Sequence, residues 1–169
     1  MPHHHARLIV VAVAAVSFST PITAQQEPTP PTTLETLVET LGGQVSQNEQ
    51  GEVVEVRLSR TAVTDAGLAH LTGLTALEEL DLWNTPITDA GVVHLTGLTA
   101  LKRLYLNNTQ ITDASLVHLT GLMALERLWI YGTQVTEVGV AKLQKALPNA
   151  RLINVVIATV SGVIEIVAD

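Results

Sequence analysis

Between residues 54 and 154 the sequence repeats itself every 24 residues, and this period constrains the fold more than any other feature. "LAHLTGLTALEELDLWNTPITDAG" (Leu68 to Gly91) is followed by "VVHLTGLTALKRLYLNNTQITDAS" (Val92 to Ser115) and then "LVHLTGLMALERLWIYGTQVTEVG" (Leu116 to Gly139). A partial copy, "VEVRLSRTAVTDAG" (Val54 to Gly67), precedes them, and a degraded one, "VAKLQKALPNARLIN" (Val140 to Asn154), follows. One copy of this length cannot bury its own apolar face, so neighbours must stack to make a continuous core, and both ends need caps.

Within a copy, Leu77, Leu80 and Leu82 are spaced to point inward from a short strand, and Ile87 closes the turn. "TDAGVVHL" (Thr88 to Leu95) reads as a short helix whose Val92 and Leu95 pack back onto that strand. Thr88 or Asp89 suits its N-cap. Asp65, Asp89, Asp113 and Glu137 recur at this place as helix-start residues whose charge complements the helix dipole.

A period in the twenties with Leu-x-x-Leu-x-Leu in each copy resembles the leucine-rich repeat family. The "ITDAG" half is similar to the helix-bearing repeats of F-box-type and bacterial members. The resemblance covers about 100 residues and implies an α/β solenoid: a short curved horseshoe with a parallel β-sheet on the concave face and short helices on the convex face. It also implies a non-enzymatic recognition scaffold. One departure stands out. Thr61, Thr85, Thr109 and Thr133 occupy the turn position where the family commonly has Asn or Cys. Their hydroxyls are expected to bond the neighbouring turn's backbone, with slightly altered curvature.

The flanks complete the organisation. Arg7, the apolar run "LIVVAVAAVSF" and "STPITA" read as a signal peptide over 1–24 with cleavage expected after Ala24, which implies a secreted or periplasmic protein; an uncleaved anchor is the alternative. "QQEPTPPTT" (25–33) is a Pro/Thr-rich linker. The repeat domain is then 34–169: an N-terminal cap over 34–53 (an amphipathic helix and a hairpin turning near Asn48 to Gly51), the repeats over 54–154, and a C-terminal cap over 155–169. That last stretch reads as two edge strands around Ser161-Gly162. A membrane segment is the rival reading, opposed by Asn154, Thr159, Ser161 and Glu165.

Strand alternation assigns the functional face. With Leu128 and Ile130 inward, Arg127, Trp129 and Tyr131 face outward; the same rule gives Glu79, Asp81 and Trp83, then Arg103, Tyr105 and Asn107. The partial copies add Glu55, Arg57, Ser59 and Arg151, Ile153, Val155. Apart from Phe18 in the leader, every aromatic of the chain (Trp83, Tyr105, Trp129 and Tyr131) falls on this one face. Aromatic clusters flanked by arginine are typical of interaction hot spots, although mutual ring stacking alone also accounts for Tyr105 with Trp129. The candidate partner-binding residues are Trp83, Tyr105, Trp129, Tyr131, Arg103, Arg127, Asp81 and Glu79. The expected ligand is a protein or peptide, the alternative a glycan stacked on the same rings. The column Glu55, Glu79, Arg103, Arg127, Arg151 runs from acidic to basic, so a polar partner would dock in one direction.

Other chemistries find little support. A balance of 9 Lys+Arg against 16 Asp+Glu lacks the basic footprint that nucleic-acid binding needs. There are no cysteines for disulfides or thiolate metal sites. No nucleophile elbow, zinc helix motif or phosphate loop is present, and Glu79 and Asp81 lie on an open sheet rather than in a cleft. His70, His94 and His118 recur once per copy, but on outer-arc helices spread by about 10 Å, too far apart to share a metal. No cofactor or metal is expected.

Overall fold

The computed structural model describes residues 33–154 and two further two-residue strands, 159–160 and 163–164. The expected signal segment, all of the expected linker but Thr33, Val155 and most of the C-terminal cap lie outside the described residues.

The N-terminal helix α1 (Thr33–Thr40) packs Leu34 and Val38 into the core. It leads into β1 (Gln44–Gln47), which pairs antiparallel with β2 (Val53–Arg57). The intervening turn is held by Asn48, whose carboxamide oxygen accepts the backbone N–H groups of Gln50 and Glu52.

From β2 onward the chain alternates strand and short helix. The elements are α2 (Asp65–Leu68), β3 (Glu79–Asp81), α3 (Asp89–Val92), β4 (Arg103–Tyr105), α4 (Asp113–Leu119), β5 (Arg127–Trp129), α5 (Glu137–Ala146) and β6 (Arg151–Ile153). β2 through β6 are parallel neighbours in sequence order, in one six-stranded sheet with β1 at its edge. A separate antiparallel pair, β7 (Thr159–Val160) and β8 (Val163–Ile164), flanks Ser161-Gly162. Each expected short helix is realised, but α2 and α3 last four residues and tighten into 3-10 turns over Ala69–Leu71 and Val93–Leu95.

The core is a stack of equivalent leucines. Val56, Leu80, Leu104 and Leu128 stand in register across the sheet and are fully buried, and Leu77, Leu82, Ile87, Val92 and Leu95 complete the layer of one copy. Fully burying one such side chain contributes about 1.5–3 kcal/mol. None of the four aromatics belongs to this core.

A second ladder ties the helix starts together. The carboxylate of Asp65 accepts both the backbone N–H and the hydroxyl of Thr88, at 2.9 and 2.6 Å. Asp89 does the same for Thr112 at 2.8 and 2.7 Å, and Asp113 for Thr136 at 2.7 and 2.6 Å. Each threonine in turn accepts a backbone N–H of its own helix, from Ala90, Ala114 and Gly139. Thr64, with Leu41 rather than an aspartate one repeat earlier, makes no side-chain cap bond. The aspartates therefore do more than complement a dipole: they fasten each copy to the next. Gly91 and Gly139 leave room for this, since a Cβ at either would collide with the carboxylate of Asp65 or Asp113.

The turn threonines differ from expectation. Thr61, Thr85, Thr109 and Thr133 donate to the carbonyls of Leu58, Leu82, Leu106 and Ile130, three residues back in their own turn and not in a neighbour's. The residue before each threonine has positive φ (Arg60, Asn84, Asn108 and Gly132). That conformation tucks the hydroxyl under its own strand end.

Candidate functional site

The open face of the sheet, opposite the helices, carries two registered columns. One is Glu55, Glu79, Arg103, Arg127 and Arg151; the other is Arg57, Asp81, Tyr105, Trp129 and Ile153. Both are the columns that strand alternation predicts. A third row, Ser59, Trp83, Asn107 and Tyr131, follows at the strand ends. Asn107 in this row is buried, at 3 % exposure, while the two rings are half-buried.

In the N-terminal half of this face the glutamates and arginines of the columns pair with one another. Arg103 donates through Nε to Glu79 Oε2 at 2.6 Å and makes a second contact to the same oxygen, and Arg57 pairs with Glu55. The bond to Glu79 holds the Arg103 guanidinium even further above neutrality than usual. Ser46 adds a hydroxyl to Glu55. These side chains border a shallow depression of about 300 Å³ lined by Val54, Glu55, Arg57, Glu78, Glu79 and Arg103. Asp81 turns back to accept the backbone N–H of Trp83 at 3.0 Å, and the Arg60 guanidinium lies 4.2 Å from the centre of the Trp83 ring. The Trp83 indole N–H is buried without a partner among the described residues.

The C-terminal half is different. Tyr105 and Trp129 stack with ring centres 4.1 Å apart and planes 8° from parallel. Burial, and next to it the charge of Glu79, raises the Tyr105 hydroxyl above its ordinary pKa, so it stays a neutral donor. Tyr131 stands half-buried two residues beyond Trp129. Arg127 and Arg151 are exposed, adjacent in register, and form no ion pair with any described carboxylate.

Of the eight candidate residues, the structure thus gathers Tyr105, Trp129, Tyr131 and Arg127 into one open cluster. Glu79 and Arg103 are brought together, but as each other's partners. Asp81 and Trp83 are engaged in their own turn. Arg151, which the sequence already places at the basic end of the column, closes the cationic cluster. One contributor escapes the sequence reading of the site. Arg60 covers Trp83, and its trace is that it occupies the 24-residue position held elsewhere by Asn84, Asn108 and Gly132. His70, His94 and His118 lie on the helix side. Among the described residues no group of three His, Cys, Asp or Glu is placed to hold a metal ion, and no helix is long and apolar enough to cross a membrane.

Residues 75–118 match the family model for Leucine Rich repeats (2 copies). No curated protein matches the sequence. Solved structures give partial likenesses. An internalin (InlF) from Listeria monocytogenes is 24% identical with a TM-score of 0.46, over 66% of this chain and 33% of that one. The LRR ectodomain of the receptor kinase SOBIR1 from Arabidopsis thaliana is 16% identical with a TM-score of 0.38, over 72% and 88%. The crystal structure of PEPR1-AtPEP1 is 14% identical with a TM-score of 0.40, over 66% and 19%. The chain spans about a third of the internalin's length.

Proposed function

We propose that the chain, which its repeats, parallel sheet and two-copy family match support as a leucine-rich repeat protein, is a recognition module holding a protein or peptide partner on the concave face. The partner rests on Tyr105, Trp129 and Tyr131, with Arg127 beside them. One observation carries this reading: the chain gathers three of its aromatic rings onto an open sheet face beside a guanidinium that has no carboxylate among the described residues. These rings are half-buried on the sheet and not packed among the leucines, and clustered surface aromatics next to arginine are the usual anchors of interfaces. The leader-like N-terminal segment supports an exported setting, so the partner is sought outside the cytoplasm.

The test is capture of partners from an extracellular or periplasmic fraction by the wild type and by the double variant Trp129→Ala, Tyr131→Ala. Capture is expected to disappear while stability falls by no more than about 2 kcal/mol, the loss of one stacked pair plus some burial. Undiminished capture by the double variant would place the site elsewhere. A sugar that quenches the tryptophan fluorescence on a glycan array, with no protein captured, would replace the peptide ligand by a glycan.

A further inference from the structure

The concave face is not evenly charged, and its imbalance specifies the partner. Of the basic residues on the sheet columns, Arg57 and Arg103 are already paired with Glu55 and Glu79, and the neighbouring Lys102 is paired with Glu78 at 2.9 Å. Arg127 and Arg151 remain. They face each other across adjacent parallel strands, where backbones run about 4.8 Å apart and like charges directly opposite one another destabilise the sheet. Glu126, one position before Arg127, is exposed and forms no ion pair with either. This cationic pair, without a carboxylate partner among the described residues, sits in a chain whose formal net charge is -7, immediately beside the Tyr105–Trp129 stack. A surface optimised only for folding would continue the Glu–Arg pairing found one repeat earlier.

We infer that the C-terminal half of the concave face accepts an acidic peptide segment, with two carboxylates meeting Arg127 and Arg151 and an apolar side chain lying against Trp129 and Tyr131. This rests on the concave-face reading and narrows it to one class of partner. Guanidinium forks match carboxylates two bonds at a time. The two guanidiniums stand on consecutive strands, so the segment crosses the strands rather than extending the sheet at its edge. The paired Glu55, Glu79, Arg57 and Arg103 offer such a segment no free charge, so the engaged part of the sheet runs from β4 to β6.

Two terminally blocked ten-residue peptides test this. Both carry a central leucine; one is otherwise rich in glutamate, and the other has glutamine at every glutamate position. Titration is followed by tryptophan fluorescence and calorimetry, with wild type, Arg127→Gln/Arg151→Gln, and Trp129→Ala/Tyr131→Ala. The acidic peptide is expected to bind the wild type at least tenfold more tightly than its glutamine counterpart. The arginine double variant should lose about tenfold and most of the salt dependence, since rim charges act weakly one by one and are screened by salt. Charge reversal to Arg127→Glu/Arg151→Glu should shift preference to the same peptide made with lysine. Equal affinity for the two peptides, or an acidic peptide indifferent to both arginine variants, overturns the inference. A random peptide library panned in parallel separates the two readings. Enriched peptides without excess Asp or Glu, but lost on the Trp129/Tyr131 variant, sink the acidic partner and leave the concave site standing. Peptides retained on both variants sink both.

Discussion

The two periodic surfaces of this solenoid treat their polar groups in opposite ways. On the helix side, Asp65, Asp89 and Asp113 each hold the threonine of the next copy with the same two bonds at nearly the same distances. On the sheet side, the equivalent positions change from copy to copy: Glu79, Arg103, Arg127 in one column and Asp81, Tyr105, Trp129 in the other. The comparison teaches a rule for reading repeats within one chain. Positions that stay constant between copies satisfy each other and build the stack; positions that vary are where groups left open by the fold, such as Trp129 and Arg127, are found.

The contrast can be broken or sharpened by substitution, and the largest effect belongs to the layer beneath both surfaces. Leu104→Ala, at the centre of the sheet, is expected to cost about 3–4 kcal/mol by burial and cavity terms, read from chemical denaturation with an unchanged far-UV spectrum. A loss below about 1 kcal/mol would mean that the copies do not share one cooperative core.

On the helix side, Asp89→Ala strands the backbone N–H and hydroxyl of Thr112 and should cost about 2 kcal/mol. The same ladder predicts an acid-sensitive fold. Burial alone would raise the Asp89 carboxyl, but the Thr112 and Ser115 hydrogen bonds outweigh it and hold the pKa below the usual carboxylate range; at Asp113 the Thr136 bonds do the same. Both groups bind protons less readily folded than unfolded. Their contribution is therefore complete above the unfolded carboxylate pKa of about 3.9 and is lost as pH falls through the lower folded values. Melting temperature should hold down to about pH 4 and then fall, and the fall should be shallower in Asp89→Asn/Asp113→Asn. An equal fall in that variant would assign the acid sensitivity to other carboxylates.

The smallest effect is expected on the sheet side. Arg127→Gln should change stability by less than about 0.5 kcal/mol, since the side chain is exposed and forms no ion pair with a described residue. Any change should be a gain, because the substitution relieves the repulsion from Arg151. A loss above 1 kcal/mol would show that Arg127 belongs to the scaffold and would dissolve the contrast between the two faces.

The 24-residue period, the inward leucines and the outward columns were all legible from spacing alone, because side chains on a strand alternate and stacked copies place equivalent residues in register. That reasoning put Trp83, Tyr105, Trp129 and Tyr131 on one face and kept them out of the core. It did not show which of them are engaged. The Asp–Thr ladder joins residues 23 positions apart, and neither partner's spacing within a single copy reveals the bond. The placement of Arg60 over Trp83 depends on a left-handed backbone at the strand end, which the sequence pattern of the other copies marks only as Asn or Gly.

By itself, then, the sequence determined which side of each strand meets the core, since hydrophobic burial follows a period that can be counted. Only the tertiary structure decided which charges cancel. The period already sets Glu79 beside Arg103 and Arg127 between Arg103 and Arg151, but that Arg103 turns to Glu79 and Arg57 to Glu55 depends on side-chain distances of a few ångströms, on which composition and period are silent.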